Sequence, residues 1–256
     1  MLDAVTFYAS FDRAVRADVG VSRVRTRSGR PTEPEQWTFQ DGYDASLYRI
    51  ADGVSGGALE ALAAPEDFGR FFFPGEGNLP YASGGWQGSA SFWINTDPNT
   101  RILAPFCDPI QITQKGANCG GLWIDFPESS PRDMRLGAFP GVGRIFAESD
   151  PDAPLVVVRD VGFRWGDWHH VAFTWTDFDT GRADARAALY VDGQLQGELA
   201  ERDIAMGWDL AQTGIYVAVN YVGLLDELAL FRRALTATEI RVLSERPDAL
   251  SSLQMQ

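Results

Sequence analysis

Short segments of period-two alternation recur along most of the chain, and this constrains the fold more than any other feature. Val5 to Ser10, Ser89 to Asn95, Gly121 to Phe126, His169 to Trp175, Ala187 to Val191, Gly214 to Val219 and Glu227 to Phe231 show it most clearly. Ala58 to Leu62, Arg70 to Phe73, Ile110 to Gln114 and Leu155 to Val158 follow the same pattern. β-Branched and aromatic residues fill these segments and turn residues separate them, so each reads as a strand with side chains on alternate faces. No helical period intervenes between successive strands, which argues against a βαβ arrangement and for an antiparallel sandwich or barrel.

Two local signals are sharper. Asp192-Gly193 lies between Ala187–Val191 and Gln194–Gly197 and supplies the positive φ values of a type I′ hairpin turn. Thr236 and Glu239 have the spacing of a capping box ahead of Ile240, Val242 and Leu243, and Pro247 ends the helix they predict. The tail from Ala249 to Gln256 reads as polar and frayed. Segments 13–56, 74–88 and 127–154, rich in Gly, Pro, Asp, Glu and Arg, read as long loops of the kind that carry function.

The 256 residues are 45% hydrophobic and 12% aromatic, enough for a substantial core, and no repeat or linker divides them, so one domain over 1–256 is expected. A net charge of −13 would be repelled by a phosphate backbone, which argues against nucleic acid and disfavours anionic membranes. No apolar run approaches the roughly 18 residues that membrane insertion needs. The start Met1-Leu2-Asp3 has no basic-apolar leader, and the chain as given reads as soluble. The acidic balance suits a secreted or cell-surface setting and a cation site, although solubility alone would also explain it. Cys107 and Cys119 could bridge a hairpin or stay as thiols; neither has the partners of a zinc site.

The order Trp168-His169-His170-Val171-Ala172, then Leu189-Tyr190-Val191-Asp192-Gly193, then Leu225-Asp226-Glu227-Leu228-Ala229-Leu230-Phe231 before a capped helix resembles the laminin-G-like, concanavalin A-like jelly-roll superfamily. Ala9-Ser10-Phe11-Asp12, Gly56-Gly57-Ala58-Leu59 and Ala90-Ser91-Phe92-Trp93-Ile94 resemble its early strands, with loop insertions near 13–56 and 127–154. The resemblance implies an all-β sandwich of two curved antiparallel sheets, one concave and one convex, with a short C-terminal helix. It also implies a structural Ca²⁺, with carboxylates from Asp12 and Asp226 and a backbone carbonyl from Gly56-Gly57, assigned to Gly57. Hard oxygen donors of this kind suit Ca²⁺ over transition metals. The alternative is that Asp226 caps a turn and Asp12 is solvated. Family members bind glycans, mediate adhesion or cleave polysaccharides, and the fold cannot choose among these.

Catalytic motifs are weak. His169 and His170, the two histidines, are strand neighbours and face opposite ways, so they read as scaffold. The cluster Asp177-Phe178-Asp179-Thr180-Gly181 with Asp184 lacks the later ligands of a calcium loop and reads as a hairpin loop. Glu148-Ser149-Asp150 and Glu201-Arg202-Asp203 begin the family's glucanase pattern, but Ala153 and Met206 stand where its second glutamate belongs. Gln111-Ile112-Thr113 has threonine in place of the histidine of the family's lyases, leaving only a tyrosine base with Arg101 or Arg135.

Flat aromatic rings stack on sugars, so tryptophans in loop-like segments are the ligand-binding candidates: Trp86 first, with Tyr81 beside it, then Trp37, Trp165 and Trp208. Trp93, Trp123, Trp168 and Trp175 lie in strands and read as core. The expected function is non-catalytic, lectin-like binding of a polysaccharide, glycan or other surface ligand. A polysaccharide lyase or hydrolase and a module with a protein ligand are the alternatives. A carboxylate pair or Tyr-Arg cluster on the concave sheet would favour an enzyme; exposed aromatics without one would favour a lectin.

Overall fold

A computed structural model describes residues 1–30, 33–66 and 69–253. In chain order the strands are β1 (Val5–Ala9), β2 (Arg25–Ser28), β3 (Thr38–Asp41), β4 (Tyr48–Asp52), β5 (Gly57–Ala61), β6 (Arg70–Pro74), β7 (Trp86–Asn95) and β8 (Phe106–Gly116). They continue as β9 (Cys119–Pro127), β10 (Met134–Phe139), β11 (Leu155–Val158), β12 (His169–Phe178), β13 (Ala185–Val191), β14 (Gln194–Arg202), β15 (Gly214–Val219) and β16 (Gly223–Phe231). A one-turn helix, α1 (Pro98–Arg101), leads into β8, and α2 (Ala237–Glu245) follows β16.

The strands form two antiparallel sheets of eight. The first runs β14-β13-β12-β7-β16-β5-β4, with β1 also paired to β16; the second runs β11-β10-β9-β8-β15-β6-β2-β3. Alternation places one side of each sheet in a shared core. Phe92, Phe173 and Leu230 of the first sheet meet Phe73, Ile112, Ile124 and Ile215 of the second, all of them almost fully buried. The Asp192-Gly193 turn has φ values of 49° and 77°, as a type I′ hairpin demands.

The outer faces differ. On the first sheet Ala172, Ala188 and Ala229 leave room for α2, whose Ile240 and Leu243 pack there with Leu250. The capping box forms, Thr236 accepting from the Glu239 amide while Glu239 accepts from Thr236. The helix covers this part of the face. Among the described residues, no helix covers the outer face of the second sheet in the same way.

Four intervals depart from the sequence reading. Segment 13–56 contains β2, β3 and β4, segment 74–88 contains the start of β7, and segment 127–154 contains β10, where loops were expected. β2 and β3 are short and polar or exposed at a sheet edge, and β10 carries Gly137 and Ala138, so burial leaves little alternation to read in them. Residues 247–253 form a 3₁₀ segment that buries Leu250, so only Gln254–Gln256 of the expected frayed tail lie outside the described residues. Cys107 and Cys119 are free thiols: Cys107 lies opposite Phe126 and Cys119 opposite Gly116, at opposite ends of the β8–β9 hairpin.

Candidate functional site

A groove of about 1380 Å³ crosses the outer face of the second sheet. Its floor follows from register. Gln111 lies opposite both Trp123 and Tyr216, Tyr216 opposite Phe72, and Phe72 opposite Arg25, so these outward side chains form one row across five strands. The β2–β3 hairpin raises Trp37 and Phe39 as one wall; the β8–β9 turn and Glu148 contribute another.

The acidic end depends on a bulge. Pro109 has no N–H to give the ladder, and the β8–β9 register shifts between Cys107 and Ile110. The shift puts Asp108 and Gln111 on the same face, where Gln111 Nε2 donates to Asp108 Oδ2 at 2.8 Å. Burial pushes the Asp108 carboxyl well above the carboxylate range, and the nearby Asp125 charge adds to this. Asp125 is raised to about 6, again chiefly by burial, against the opposing hydrogen bond from Arg135. Arg135 donates to both oxygens of Asp125, at 2.9 and 2.5 Å, and to Glu148 Oε2 at 2.6 Å. Glu148 Oε1 accepts from Asn118 at 2.9 Å.

The basic end comes from Arg23, Arg25, Arg27 and Arg70. Arg27 lies opposite Arg70 in the β2–β6 ladder, and its guanidinium sits over two rings, 3.9 Å from the Trp37 ring centre and 4.6 Å from that of Tyr216. Arg23 and Arg25 share Asp41. Burial lowers the affinity of Arg27 and Arg70 for their protons, and their mutual repulsion lowers that of Arg27 further. A signal for this end was present in the sequence: Arg23, Arg25 and Arg27 recur at period two, which puts three cations on one face of an extended segment.

The aromatic candidates do not form one site. Trp37 lines the groove. Trp86 is not in a loop; it begins β7, is 1% exposed, and packs within 5.4 Å of the ring centres of Tyr81, Trp175 and Trp208. Trp208 is buried and its Nε1 donates to the Gly120 carbonyl at 2.8 Å. Tyr81 donates to Asp179 at 2.9 Å. These residues anchor the loop between β14 and β15 to the core. Trp165 is exposed elsewhere, stacked on Arg101. Of the strand tryptophans expected in the core, Trp123 is buried at 1% exposure but on the outer face, under the groove floor, stacked on Phe139 with the Arg135 guanidinium over its ring. Buried His170 bonds Ser91, while His169 stacks on Phe163 and bonds Asp192.

Asp12, Gly57 and Asp226 converge at the edge of the first sheet. The Gly57 amide donates to Asp12 Oδ1 at 2.7 Å, and Val54 and Ser55 amides donate to Asp226 Oδ2 at 2.9 and 3.2 Å. A Cβ on Gly53 would stand 2.5 Å from Asp226 Oδ2 and 2.6 Å from the Gly57 carbonyl oxygen, so glycine is needed for the turn to close on the carboxylate. Burial raises Asp226 to about 7, with Asp12 adding repulsion. The donors are hard oxygens suited to Ca²⁺. Among the described residues no group of three or more His, Cys, Asp or Glu could by itself hold a metal, so any ion here would need the carbonyl.

A family model described as the concanavalin A-like lectin/glucanases superfamily matches residues 82–241. No curated protein matches the chain in sequence. Domain 4 of AbnA, a GH43 extracellular arabinanase from Geobacillus stearothermophilus solved with arabinotriose, is similar over 94% of this chain and 98% of its own, with TM-score 0.58 and 20% identity. The binding domain of botulinum neurotoxin DC, in complex with rat synaptotagmin II, is similar over 95% of this chain and 52% of its own, with TM-score 0.59 and 13% identity. The binding domain of Paraclostridial mosquitocidal protein 1 gives TM-score 0.56 at 12% identity, over 97% of this chain and 53% of its own. The chain thus spans about half the length of those toxin domains. At such identities the likeness is one of fold.

Proposed function

The chain belongs to the concanavalin A-like lectin/glucanases superfamily, and from that premise we propose that it binds a glycan in the groove across the outer face of its second sheet. The observation that carries this reading is the lining: Trp37 and the exposed Phe39 supply aromatic surface and Gln114 an amide, over a floor in which Phe72, Trp123 and Gln111 are buried. Rings suit the apolar faces of sugars, and amides pair with hydroxyls by donating and accepting. At about 1380 Å³ the groove exceeds the volume that one small ligand fills and suits several sugar units. The arabinotriose held by the arabinanase domain supports the ligand class. A glycan ligand and an acidic surface together suit work outside the cytoplasm.

A second reading is a polysaccharide-degrading enzyme, favoured by Asp108, Asp125, Glu148 and the Tyr216-Arg27 contact in the same groove. Binding is preferred because Asp125 commits both oxygens to Arg135, and Glu148 commits its two to Arg135 and Asn118. Only Asp108 is left outside an ion pair in that cluster. Affinity electrophoresis against a polysaccharide panel, with assay for new reducing ends and unsaturated products, tests both readings. Retardation without products supports binding, turnover replaces it with catalysis, and neither result on any glycan points to a protein ligand.

We also propose one Ca²⁺ held by Asp12, Asp226 and the Gly57 carbonyl. Bound there, it would neutralise two neighbouring carboxylates and fasten the β4–β5 turn to β16.

A further inference from the structure

Among the described residues, two arginines at the basic end of the groove take part in no ion pair. Arg27 is 1% exposed and Arg70 is 4% exposed. Among the described residues no carboxylate or carbonyl accepts from the three guanidinium nitrogens of Arg27, which has only Tyr216 as a polar neighbour in reach, nor from Nε and Nη2 of Arg70. Buried guanidinium donors without acceptors are costly, and native proteins rarely leave them so.

The nearby carboxylates are already engaged. Asp41 serves Arg23 and Arg25, while Asp125 and Glu148 serve Arg135. Asp108 attracts Arg70 through space and accepts its hydrogen bond from Gln111. Asp108 is the carboxylate whose charge acts on Arg70, while Glu76, also on the groove lining, is exposed to solvent. The Arg27 guanidinium lies over the Trp37 and Tyr216 rings, which give it π contacts but no countercharge. The planar N–H edges of a guanidinium match the paired oxygens of an oxyanion. Arg70 itself lines the groove, and Arg23, Arg25 and Lys115 line it nearby.

We propose that the basic end of the groove is an oxyanion subsite, in which Arg70, with Arg27 opposite it in the β2–β6 ladder adding to the local positive charge, receives the carboxylate or sulfate of an acidic sugar, so that the ligand is an acidic polysaccharide. This rests on the groove being the glycan site. It reconciles an anionic ligand with a net charge of −13, because the cations are gathered at one end of one face.

The test uses the intact chain and matched probes: oligogalacturonate, a sulfated galactan and the uncharged galactan, titrated calorimetrically at low and high salt. Charge-assisted pairing predicts that one charged probe binds roughly tenfold to hundredfold tighter than the neutral one, with the advantage reduced by salt. Which of the two charged probes binds identifies the anion as carboxylate or sulfate. Arg70→Gln should bring the charged probe down to the affinity of the neutral one, and Arg70→Lys should restore only part of the difference. The free Arg70→Gln chain should melt higher than the parent, since a buried uncompensated charge is gone, and it should lose the stabilisation that sulfate or galacturonate gives the parent. Equal affinity for charged and neutral probes, unmoved by Arg70→Gln, would overturn the oxyanion subsite and leave the groove reading intact. No binding to any probe, with no stabilisation by either small anion, would overturn both.

Discussion

Asp108 and Gln111, an odd number of residues apart on β8, face the same way because Pro109 between them bulges the strand, and the Gln111 amide donates to Asp108 at 2.8 Å. A regular strand would have turned one of them into the core. The bulge thus delivers a carboxyl to the groove at the cost of burying it beside Asp125.

Asp108→Asn should stabilise the protein in alkali and not in acid. The folded-state pKa is raised, so the carboxyl favours the fold below its unfolded pKa and loses that contribution as pH rises through the folded value. At about pH 8 the variant should melt higher by at least roughly 2–4 °C, the shift that 1 kcal/mol makes in a domain of this size. Calorimetric scans at about pH 4 and 8 check this; a gain of equal size at both would refute it.

His170→Asn should have the opposite pH signature. Burial lowers the His170 imidazole from 6.5 to about 4, so the unfolded chain binds the extra proton first and stability falls as pH drops through that window. The parent should lose up to about 3 kcal/mol relative to the variant between these pH values, at 1.36 kcal/mol per unit. Urea unfolding of both chains across the window measures it, and parallel curves would show that His170 titrates normally.

Trp86→Ala and Trp37→Ala should separate core from ligand surface. Trp86 is 1% exposed among aromatic neighbours, so its truncation should cost about 3–5 kcal/mol in denaturant unfolding. Trp37 lines the groove and caps Arg27, so its truncation should weaken glycan binding about tenfold or more, as loss of a buried aromatic anchor does. Glycan binding that survives Trp37→Ala unchanged would remove that wall from the site.

Chelation should lower the melting temperature if Asp12, Gly57 and Asp226 hold Ca²⁺. An ion at a hundred times its Kd adds about 2.7 kcal/mol, which corresponds to roughly 5–10 °C in a domain of this size. Asp226→Asn should melt like the chelated parent and show no response to added Ca²⁺. An unchanged melting curve, with no metal by elemental analysis, would reject the site.

The two-sheet architecture was legible because alternation is a local record of burial on one face. It failed where strands are short, polar and at an edge, as in β2 and β3, or small-residue and buried, as in β10. The site was legible only in fragments. Gln111, Arg135 and Glu148 drew attention through incomplete enzyme motifs, and Trp37 through its ring, yet nothing in the sequence joined them. Trp86 misled because glycines on both sides suggested a loop, whereas the ring turns inward at the start of β7.

What the sequence determined by itself was the scaffold: strand periodicity, the Asp192-Gly193 turn, the Thr236–Glu239 cap, and the order of segments that marks the superfamily. Each depends on residues within a few positions of one another, so local chemistry suffices. Which face would stay open, and what would line it, was decided by tertiary structure. Helix α2 covers the first sheet, and strand register then brings Arg27 beside Arg70 from segments far apart in the chain, next to carboxylates already bound to other arginines. Charge balance at such a site is a sum over distant segments, and only packing performs it.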